Sequence, residues 1–341
     1  MDTEVTANRY QSWSFPLLDK LMGYLSRESR SGKVAGLVKS IAVPLGALGI
    51  FMFLWSVLAT QVQTSLGVLP GPAKVWEQTL VLVEEHKAER EKEVAFMQRQ
   101  EKRNAAKLAK NPDAVVKIRP YTGKATFFDQ ILTSLLTVST GFLIASLIAI
   151  PIGIVIGMNQ TLYSAFNPII QLFKPVSPLA WLPIVTMVVS AVYVSTDPLF
   201  AKSFVTSAIT VTLCCLWPTI INTAVGVSSV DKDLINVSRV LRLPWLTQTL
   251  KIVLPSSIPM MFTGLRLSLG IGWMVLIAAE MLAQNPGLGK FVWDEFQNGS
   301  SNSLARIMVA VLVIGFIGFL LDHGMLMLQR KFSWDKSVAL R

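Results

Sequence analysis

The sequence predicts an all-α integral membrane protein with about six transmembrane helices. Hydrophobic residues make up 52% of the 341 residues and charged residues only 15%, whereas an ordinary soluble domain carries about 25% charged residues. The apolar residues are also clustered, and about 20 of them are enough for a helix to cross a bilayer. Six such blocks follow one another along the chain: 41–59, 131–158, 176–195, 203–224, 258–283 and 304–328.

The first block follows a basic arm. Residues 1–40 hold six Lys/Arg and no uninterrupted apolar core, which is unlike a cleaved signal peptide. We therefore expect a cytoplasmic N-terminal arm at 1–40. The first transmembrane helix, which remains as an anchor, and the loop after it occupy 41–72.

A charged segment separates the first block from the second. From Glu84 to Asn111 it mixes both charges with good helix formers and contains no glycine or proline before Pro112. This composition predicts an exposed helix within a helical insert at 73–126. Two interpretations stay open, a solvated charged helix or a surface that receives an extracytoplasmic partner. A lipid-surface role is weaker because the apolar positions form only a thin stripe.

Residues 127–330 form the predicted core domain, and 331–341 form a cytoplasmic tail. Prolines interrupt the third and fourth apolar blocks at Pro178, Pro183 and Pro218, so five or seven crossings stay open beside six. The prolines of the segment KPVSPLAWLP fit either a kinked helix or a discontinuous helix that lines a transport pathway.

A polar stretch from Asp233 to Pro259 separates the fourth and fifth blocks and is longer than a simple turn needs. Its apolar residues recur at helical spacing, at Leu234, Val237, Leu241 and Leu243. The spacing predicts an amphipathic docking helix near 233–250 that faces a partner. Proline is tolerated best in the first turn of a helix, so Pro255 and Pro259 indicate where the next span begins.

The distribution of charge predicts which side each segment faces. If the chain has six spans, both termini and the docking helix lie on the inner side. That side then holds fifteen Lys/Arg, and the outer short loops hold three. Twelve more between Lys74 and Lys124 conflict with this count. Long translocated segments escape the rule, and eight acidic residues partly balance the insert. We therefore expect the insert on the periplasmic side.

The sequence offers little that could carry enzymatic chemistry. Neither His86 nor His323 has a ligand set at metal spacing, and Gly287–Phe291 lacks the first glycine and the Ser/Thr of a phosphate loop. The adjacent Cys214 and Cys215 suit packing better than a disulfide. The basic residues lack aromatic interleaving, which argues against nucleic acid despite a net charge of +10. We expect no catalytic residue, metal, cofactor or ATP site in this chain.

Arg266 and Glu280 are candidate functional residues because charges at membrane depth are costly. Fourteen residues of one helix put them roughly 21 Å apart, so they cannot pair with each other. Arg266 either snorkels to the inner surface or caps the docking helix, or it attracts an anion in a pathway. Glu280 either bonds between helices at the outer interface or acts as a gate. The other candidate pathway residues are Pro178, Trp181, Asn222 and Trp273, of which the tryptophans are of a type found more often in cores.

The segment from Asn236 to Pro255 resembles the coupling motif in permease subunits of type I ABC importers. That motif reads Glu-Ala-Ala, three residues, Gly, nine residues, then Ile-x-Leu-Pro. The closing half matches this sequence, and the opening half departs from it, with Arg242 in place of the glycine. The ATPase-coupling residues that the resemblance implies, together with their neighbours, are Asn236, Ser238, Arg239, Arg242, Leu243, Pro244, Ile252, Leu254 and Pro255.

Other segments are similar to the nitrate/sulfonate/bicarbonate group of these permeases. They include LPGP, SPLAWLP, WPTIINTA and QNPGLGKFVWDEFQN, and within the group the chain most resembles the nitrate permeases. The resemblance implies the type I ABC importer permease fold and a permease homodimer in the bacterial inner membrane. Cytoplasmic ATPase subunits would bind ATP and magnesium and grip the docking helix. A periplasmic or lipid-anchored solute-binding protein would deliver the substrate.

The expected function is import of a small inorganic anion, nitrate before nitrite, cyanate or bicarbonate. A sulfonate or taurine permease is the alternative within the group. From other classes, a self-sufficient channel or ion-coupled carrier and a structural membrane subunit without a pathway stay open.

Overall fold

The computed structural model contains eleven α-helices, one short β-hairpin and one π-helical segment within the residues it describes. Those residues are 34–64, 67–111, 116, 118–194 and 199–332. Contacts divide the chain into two compact units, 1–58 and 59–341. The predicted N-terminal arm up to residue 33 and the predicted tail from residue 333 lie outside the described residues.

One helix, α1 (Val34–Gln61), accounts for the described part of the first unit and continues into the second. From Ala42 onward it contains no charged residue. This part is long and apolar enough to cross a membrane, which fits the span predicted at 41–59.

A β-hairpin and a long charged helix follow. Strand β1 (Gln63–Thr64) pairs antiparallel with β2 (Gly67–Val68). Helix α2 then runs from Pro72 to Lys110 over 39 residues, about 58 Å at 1.5 Å per residue. It begins well before Glu84, where the sequence predicted its start, because proline is favourable in a first turn. Over the stretch from Glu84 to Asn111 most positions are exposed, as predicted, with Gln100 buried. The earlier turns of the helix bury Val75 and Leu82.

The remaining helices are α3 (Phe127–Met158), α4 (Gln160–Phe173), α5 (Pro178–Val192), α6 (Lys202–Ser228), α7 (Lys232–Val240), α8 (Trp245–Gln248), α9 (Leu254–Ala283), α10 (Leu288–Asn298) and α11 (Ser303–Phe332). Helix α6 is central, because it packs along both α3 and α9. A Cβ at Gly141 of α3 would lie 2.7 Å from the Ala208 carbonyl oxygen, and one at Gly272 of α9 would lie 2.6 Å from Cys215 Sγ. Small residues thus let the three backbones approach closely.

Five helical segments in the described residues are long and apolar enough to cross a membrane: Ala42–Gln61, Phe127–Met158, Lys202–Ser228, Trp245–Ala283 and Ser303–Phe332. Helices α4 and α5 together meet the same criteria but are bent by 96°. They form either a sixth, broken span or a re-entrant loop. The predicted block 176–195 corresponds to α5, which starts at Pro178 and is capped by Ser177. Pro218, in contrast, lies inside the continuous helix α6.

The predicted docking helix near 233–250 is interrupted, so the prediction of one continuous helix was wrong. Helix α7 ends at Val240, and after a turn α8 leads through the π-helical segment Thr249–Val253 into α9. Pro244 explains the break, since proline lacks an N–H and disfavours helical backbone in the residue before it. Helix α9 begins at Leu254, where Pro255 indicated the start of the next span.

The α7 region and the insert lie at opposite ends of the helix bundle in the second unit. Ile235 of α7 packs in a cluster with Met158, the last residue of α3. Helix α2 instead joins the beginning of α3, where Arg90 pairs with Asp129 at 3.1 Å. The ends of α3 lie about 48 Å apart, because the helix has 32 residues.

Candidate functional site

An exposed apolar surface lies on the side of α7 that faces away from the helix bundle, and it continues over the turn after α7. We define the docking face as Leu234, Val237, Val240, Leu241 and Trp245, whose exposures run from 45% to 83%. Apolar side chains grouped in this way mark a surface that another molecule covers. The spacing predicted three of these residues as partner-facing, whereas Leu243, also predicted, is half-buried.

Polar coupling candidates flank the docking face. Asn236, Arg239 and Arg242 are exposed, and the first two line a cleft of about 790 Å³ beside the end of α3. Ser238 is buried instead, and its Oγ donates to the Ile235 carbonyl oxygen at 2.6 Å. Arginines beside an apolar surface can bind carboxylates of a partner in a defined geometry.

Helix α7 ends in a Schellman motif. The N–H of Leu243 donates to the carbonyl oxygen of Ser238, and the N–H of Arg242 donates to that of Arg239, both at 3.0 Å. Arg242 therefore adopts the left-handed conformation, with φ of 50°, at the position that usually holds glycine. This position is also where the resembled coupling motif has its glycine, the residue that adopts the left-handed conformation without steric cost.

The closing half of the motif forms the start of α9. Ahead of this half, Pro244 has extended backbone and precedes α8. Within it, Ile252 packs against the buried residues beneath α7. The N–H of Leu254 bonds the Thr249 carbonyl, five residues earlier, in the π-helical pattern. Pro255 has no N–H to continue the α-helical ladder, which accounts for the irregular turn before it.

Arg266 pairs with Asp322 across α9 and α11. Its Nε donates to Asp322 Oδ1, and its Nη2 donates to Oδ2 at 2.7 Å. The side chains are 35% and 42% exposed, and both residues lie more than two turns from their helix ends. Arg266 bonds Asp322 and not the docking helix, which argues against the capping interpretation. An Arg or Asp at a helix centre costs roughly 2.5–3.5 kcal/mol on the insertion scale, so pairing offsets part of a large penalty.

Glu280 holds the loop between α9 and α10. Its carboxylate is fully buried, accepts from Ser134 Oγ at 2.8 Å, and accepts from the Gly289 N–H at 3.0 Å. Ser134 Oγ accepts in turn from the Leu288 N–H at 2.8 Å. A carboxylate at a helix N-terminus is electrostatically favourable. These contacts support the interhelix interpretation of Glu280.

The other pathway candidates lie in separate contacts. Trp273 is buried, and its Nε1 donates to the Ile314 carbonyl oxygen at 3.0 Å. Asn222 Nδ2 donates to the Pro218 carbonyl oxygen at 2.8 Å. Trp181, one turn into the helix that Pro178 begins, lies against Phe173 with ring centroids 5.9 Å apart. The structure of the single chain does not bring the six candidates into one site.

Charged side chains, of which Arg306 is partly buried and Glu85 is exposed, join the insert to the bundle at the end away from α7. Arg306 at the start of α11 binds Glu85 of α2 through Nη2 and Glu295 of α10 through Nη1, the second contact at 3.3 Å. Ser303 Oγ also donates to Glu295 at 3.0 Å. The insert is thus attached directly to α11, and Arg306 is itself held by Glu295 of α10. Within the described residues, no group of His, Cys, Asp or Glu could hold a metal ion.

The chain also matches a known family. The family described as "Binding-protein-dependent transport system inner membrane component" matches residues 149–334, more than half of the chain. The chain belongs to this family. It is therefore a multi-pass membrane permease subunit of the ABC transporter class, in the group that includes nitrate, bicarbonate and taurine permeases.

Relatives within the group differ in their solutes. "Nitrate import permease protein NrtB" of Leptolyngbya laminosa is 39% identical over 205 residues, covering 59% of this chain and 68% of the relative. "Bicarbonate transport system permease protein CmpB" of Synechococcus elongatus is 37% identical over 204 residues, covering 60% and 68%. "Taurine transport system permease protein TauC" of Escherichia coli is 26% identical over 303 residues, covering 89% and 93%. The match to the first two spans about two thirds of their length.

Solved structures show the same fold. An inward-facing structure of the MetNI methionine ABC transporter superposes with a TM-score of 0.52 at 13% identity, covering 60% of this permease and 95% of the other chain. At this identity the likeness shows the fold alone. It agrees with the all-α ABC permease fold that the sequence predicted.

Sequence reasoning missed two parts of this arrangement. Asp322 was overlooked as the partner of Arg266, although an acidic residue inside the block 304–328 was a sufficient signal. The attachment of the insert through Arg306 and Glu85 had no such signal, because it depends on how α11 packs.

Proposed function

We propose that this permease is the transmembrane subunit of an ATP-driven importer for a small inorganic anion, with nitrate as the first candidate. The observation that carries the proposal is its identity of 39% with a nitrate permease and 37% with a bicarbonate permease. Nitrate and bicarbonate are both small planar oxyanions. Nitrite and cyanate are related candidates.

The docking face supports a cytoplasmic partner. Separate ATPase subunits would bind ATP and magnesium and attach to α7 through this apolar surface and the adjacent Arg239 and Arg242. Two copies of the permease would form a homodimer, and closure of the ATPases would draw the two docking faces together to alternate access. Hydrolysis would take place on the ATPases and not in this chain.

Topology follows from the same assignment. With the docking face in the cytoplasm, the opposite end of the bundle, where α2 meets α3 and α11, faces the periplasm. A periplasmic or lipid-anchored solute-binding protein would deliver the anion at this end. Both termini would lie in the cytoplasm, as the positive-inside count predicts.

The first experiment measures nitrate uptake in a strain that lacks this gene. We expect growth on nitrate as sole nitrogen source and ATP-dependent nitrate accumulation to be lost, and to return with the wild-type gene. Unchanged uptake, with redundant importers excluded, would overturn nitrate as the solute and move the assay to bicarbonate, cyanate or taurine. The taurine relative, aligned over 303 residues, keeps a sulfonate as the second candidate.

A reconstitution tests the class of transporter. Proteoliposomes that contain the permease, its ATPases and the solute-binding protein should accumulate the anion only with ATP. A channel or ion-coupled carrier would move the anion with the permease alone, and a purely structural subunit would move none in either preparation.

Charge reversal tests the docking face. Arg239→Glu and Arg242→Glu should each weaken copurification of the ATPase subunits, because they would repel carboxylates on the partner. Lys102→Glu makes the same change on the exposed part of α2 and serves as the control. Normal copurification and normal ATPase stimulation in both arginine variants would remove this role.

A further inference from the structure

The pair of Arg266 and Asp322 borders a cleft on the surface of the bundle. The cleft has a volume of about 450 Å³. Its lining includes Arg266, Asp322 and Gly270, together with the apolar residues Leu267, Ile271 and Met274 of α9. Gly270 leaves the cleft open, because no atom lies within 4 Å of the position that a Cβ would take.

An ion pair that is more than one third exposed within two membrane spans is poorly placed against lipid. Charged groups at this depth face the interior of an assembly or a water-filled cavity. The exposure of Arg266 and Asp322 therefore indicates that their cleft faces either the interior of the assembled transporter or a water-filled space within it.

The chemistry of the pair suggests what enters that space. Asp322 presents two oxygens in one plane to Nε and Nη2 of Arg266, the two-point geometry in which guanidinium recognises planar oxyanions. A nitrate or bicarbonate ion carries the same planar pair of oxygens. Among the described residues, Nη1 of Arg266 has no hydrogen-bond partner, so a donor is available for a first contact.

We propose that Asp322 substitutes for the substrate. It binds the two donors Nε and Nη2 of Arg266, which form an anion-binding fork, when no anion is bound. A planar oxyanion in transit replaces it. This inference rests on the proposed function, because it requires that an anion passes the cleft. Arg266 then selects the anion, and Asp322 keeps the fork closed to anions until one competes for it. The alternative is a pair that only joins α9 to α11.

The test uses the complete transporter with its ATPases and solute-binding protein. In proteoliposomes without ATP, Asp322→Asn should raise passive nitrate leakage about tenfold, because a neutral amide makes a weaker hydrogen bond to the guanidinium than a carboxylate does. Asp322→Asn should also bind nitrate about tenfold more tightly, measured as the nitrate-dependent rise in melting temperature of the permease with its ATPases, without the solute-binding protein, which binds the anion itself. The double variant Arg266→Gln with Asp322→Asn should assemble but lose ATP-driven uptake and the nitrate-dependent shift.

The double variant separates anion binding from the structural role of joining α9 to α11, because its two amide side chains can still hydrogen-bond between these helices. If it imports nitrate at the wild-type rate, the pair is structural and the inference is overturned. If the wild-type transporter imports no nitrate, the proposed solute fails, and the melting shift with nitrate and bicarbonate still tests the fork. No shift in the wild type with either anion would overturn the inference. Chloride, which lacks the planar pair of oxygens, should give a weaker shift than either.

Discussion

The N–H of Leu243 donates to the carbonyl oxygen of Ser238 and closes α7 around Arg242, which stands in the left-handed conformation. The arrangement explains why glycine suits this position of the coupling motif, since glycine alone adopts positive φ without steric cost. In this permease an arginine takes the place, so the turn is retained at a cost in conformational energy.

Replacing Arg242 with glycine should therefore stabilise the permease by about 1 kcal/mol, because the left-handed conformation costs roughly 1–2 kcal/mol for other residues. Thermal unfolding in detergent would measure the gain. Arg242→Ala removes the same side chain but keeps the strain, so it should give no comparable increase. Equal melting temperatures for the two variants would show that the strain is absent.

Gly289→Ala should destabilise the junction of α9 and α10. A Cβ at this position would overlap the Ile277 carbonyl oxygen and lie 2.9 Å from the Glu280 Cβ, and such overpacking costs about 1–3 kcal/mol. Gly315→Ala is the matched control, since no atom lies within 4 Å of its Cβ position. The two melting temperatures should separate, with only the Gly289 variant below the wild type.

Removal of the Glu280 carboxylate should reduce stability rather than anion selectivity. Glu280→Ala leaves buried donors of Ser134 and Gly289 without an acceptor, at about 1–3 kcal/mol for each unpaired group. Glu280→Gln keeps one oxygen and should lose less. A Glu280→Ala variant that melts like the wild type yet fails to transport would instead support the gate interpretation.

Arg306→Gln should loosen the insert from the bundle. The change leaves Glu295, which is 7% exposed, without its cation and removes the bond to Glu85. Limited proteolysis should then cut α2 faster while the core spans stay protected. Arg103→Gln, on the exposed part of α2, should leave the cleavage rate unchanged.

Tyr121 and Glu89 should titrate as a linked pair. Tyr121 OH donates to Glu89 at 2.7 Å. This hydrogen bond, with a smaller contribution from Lys92, lowers the pKa of Glu89. The same bond raises the pKa of Tyr121 above its ordinary value of 10.0. The Glu89 contribution to stability is lost as the pH falls through its lowered pKa, and the Tyr121 contribution is lost as the pH rises through its raised pKa. Phenolate absorbance, assigned by difference from Tyr121→Phe, should show the raised midpoint, and Glu89→Gln should shift it back toward 10.0.

Local chemistry made the spans and the start of α9 predictable from the sequence. Each is marked by a local pattern in the sequence: an apolar block marks a span, and Pro255 marks the first turn of a helix. The break at Pro244 was predictable for the same reason but was missed, because the apolar spacing on both sides of it fits one helix.

The contacts between distant segments were not predictable in the same way. Asp322 lies 56 residues from Arg266, and Ser134 lies 146 residues from Glu280. Their pairing depends on how three helices are stacked, which no local pattern encodes. The polar residues were therefore easier to identify than their partners were.

Helix α9 runs unbroken from Leu254, beside the docking face, to Ala283, beside the loop that Glu280 holds. Its 30 residues measure about 45 Å at 1.5 Å per residue, so each degree of tilt at one end displaces the other by roughly 0.8 Å. The helix is thus a lever arm with Arg266 between its two ends. Under the proposed function, a rotation of a few degrees imposed at the docking face would displace the end of α9 that Glu280 holds by a few ångströms, a distance comparable to the size of a small anion.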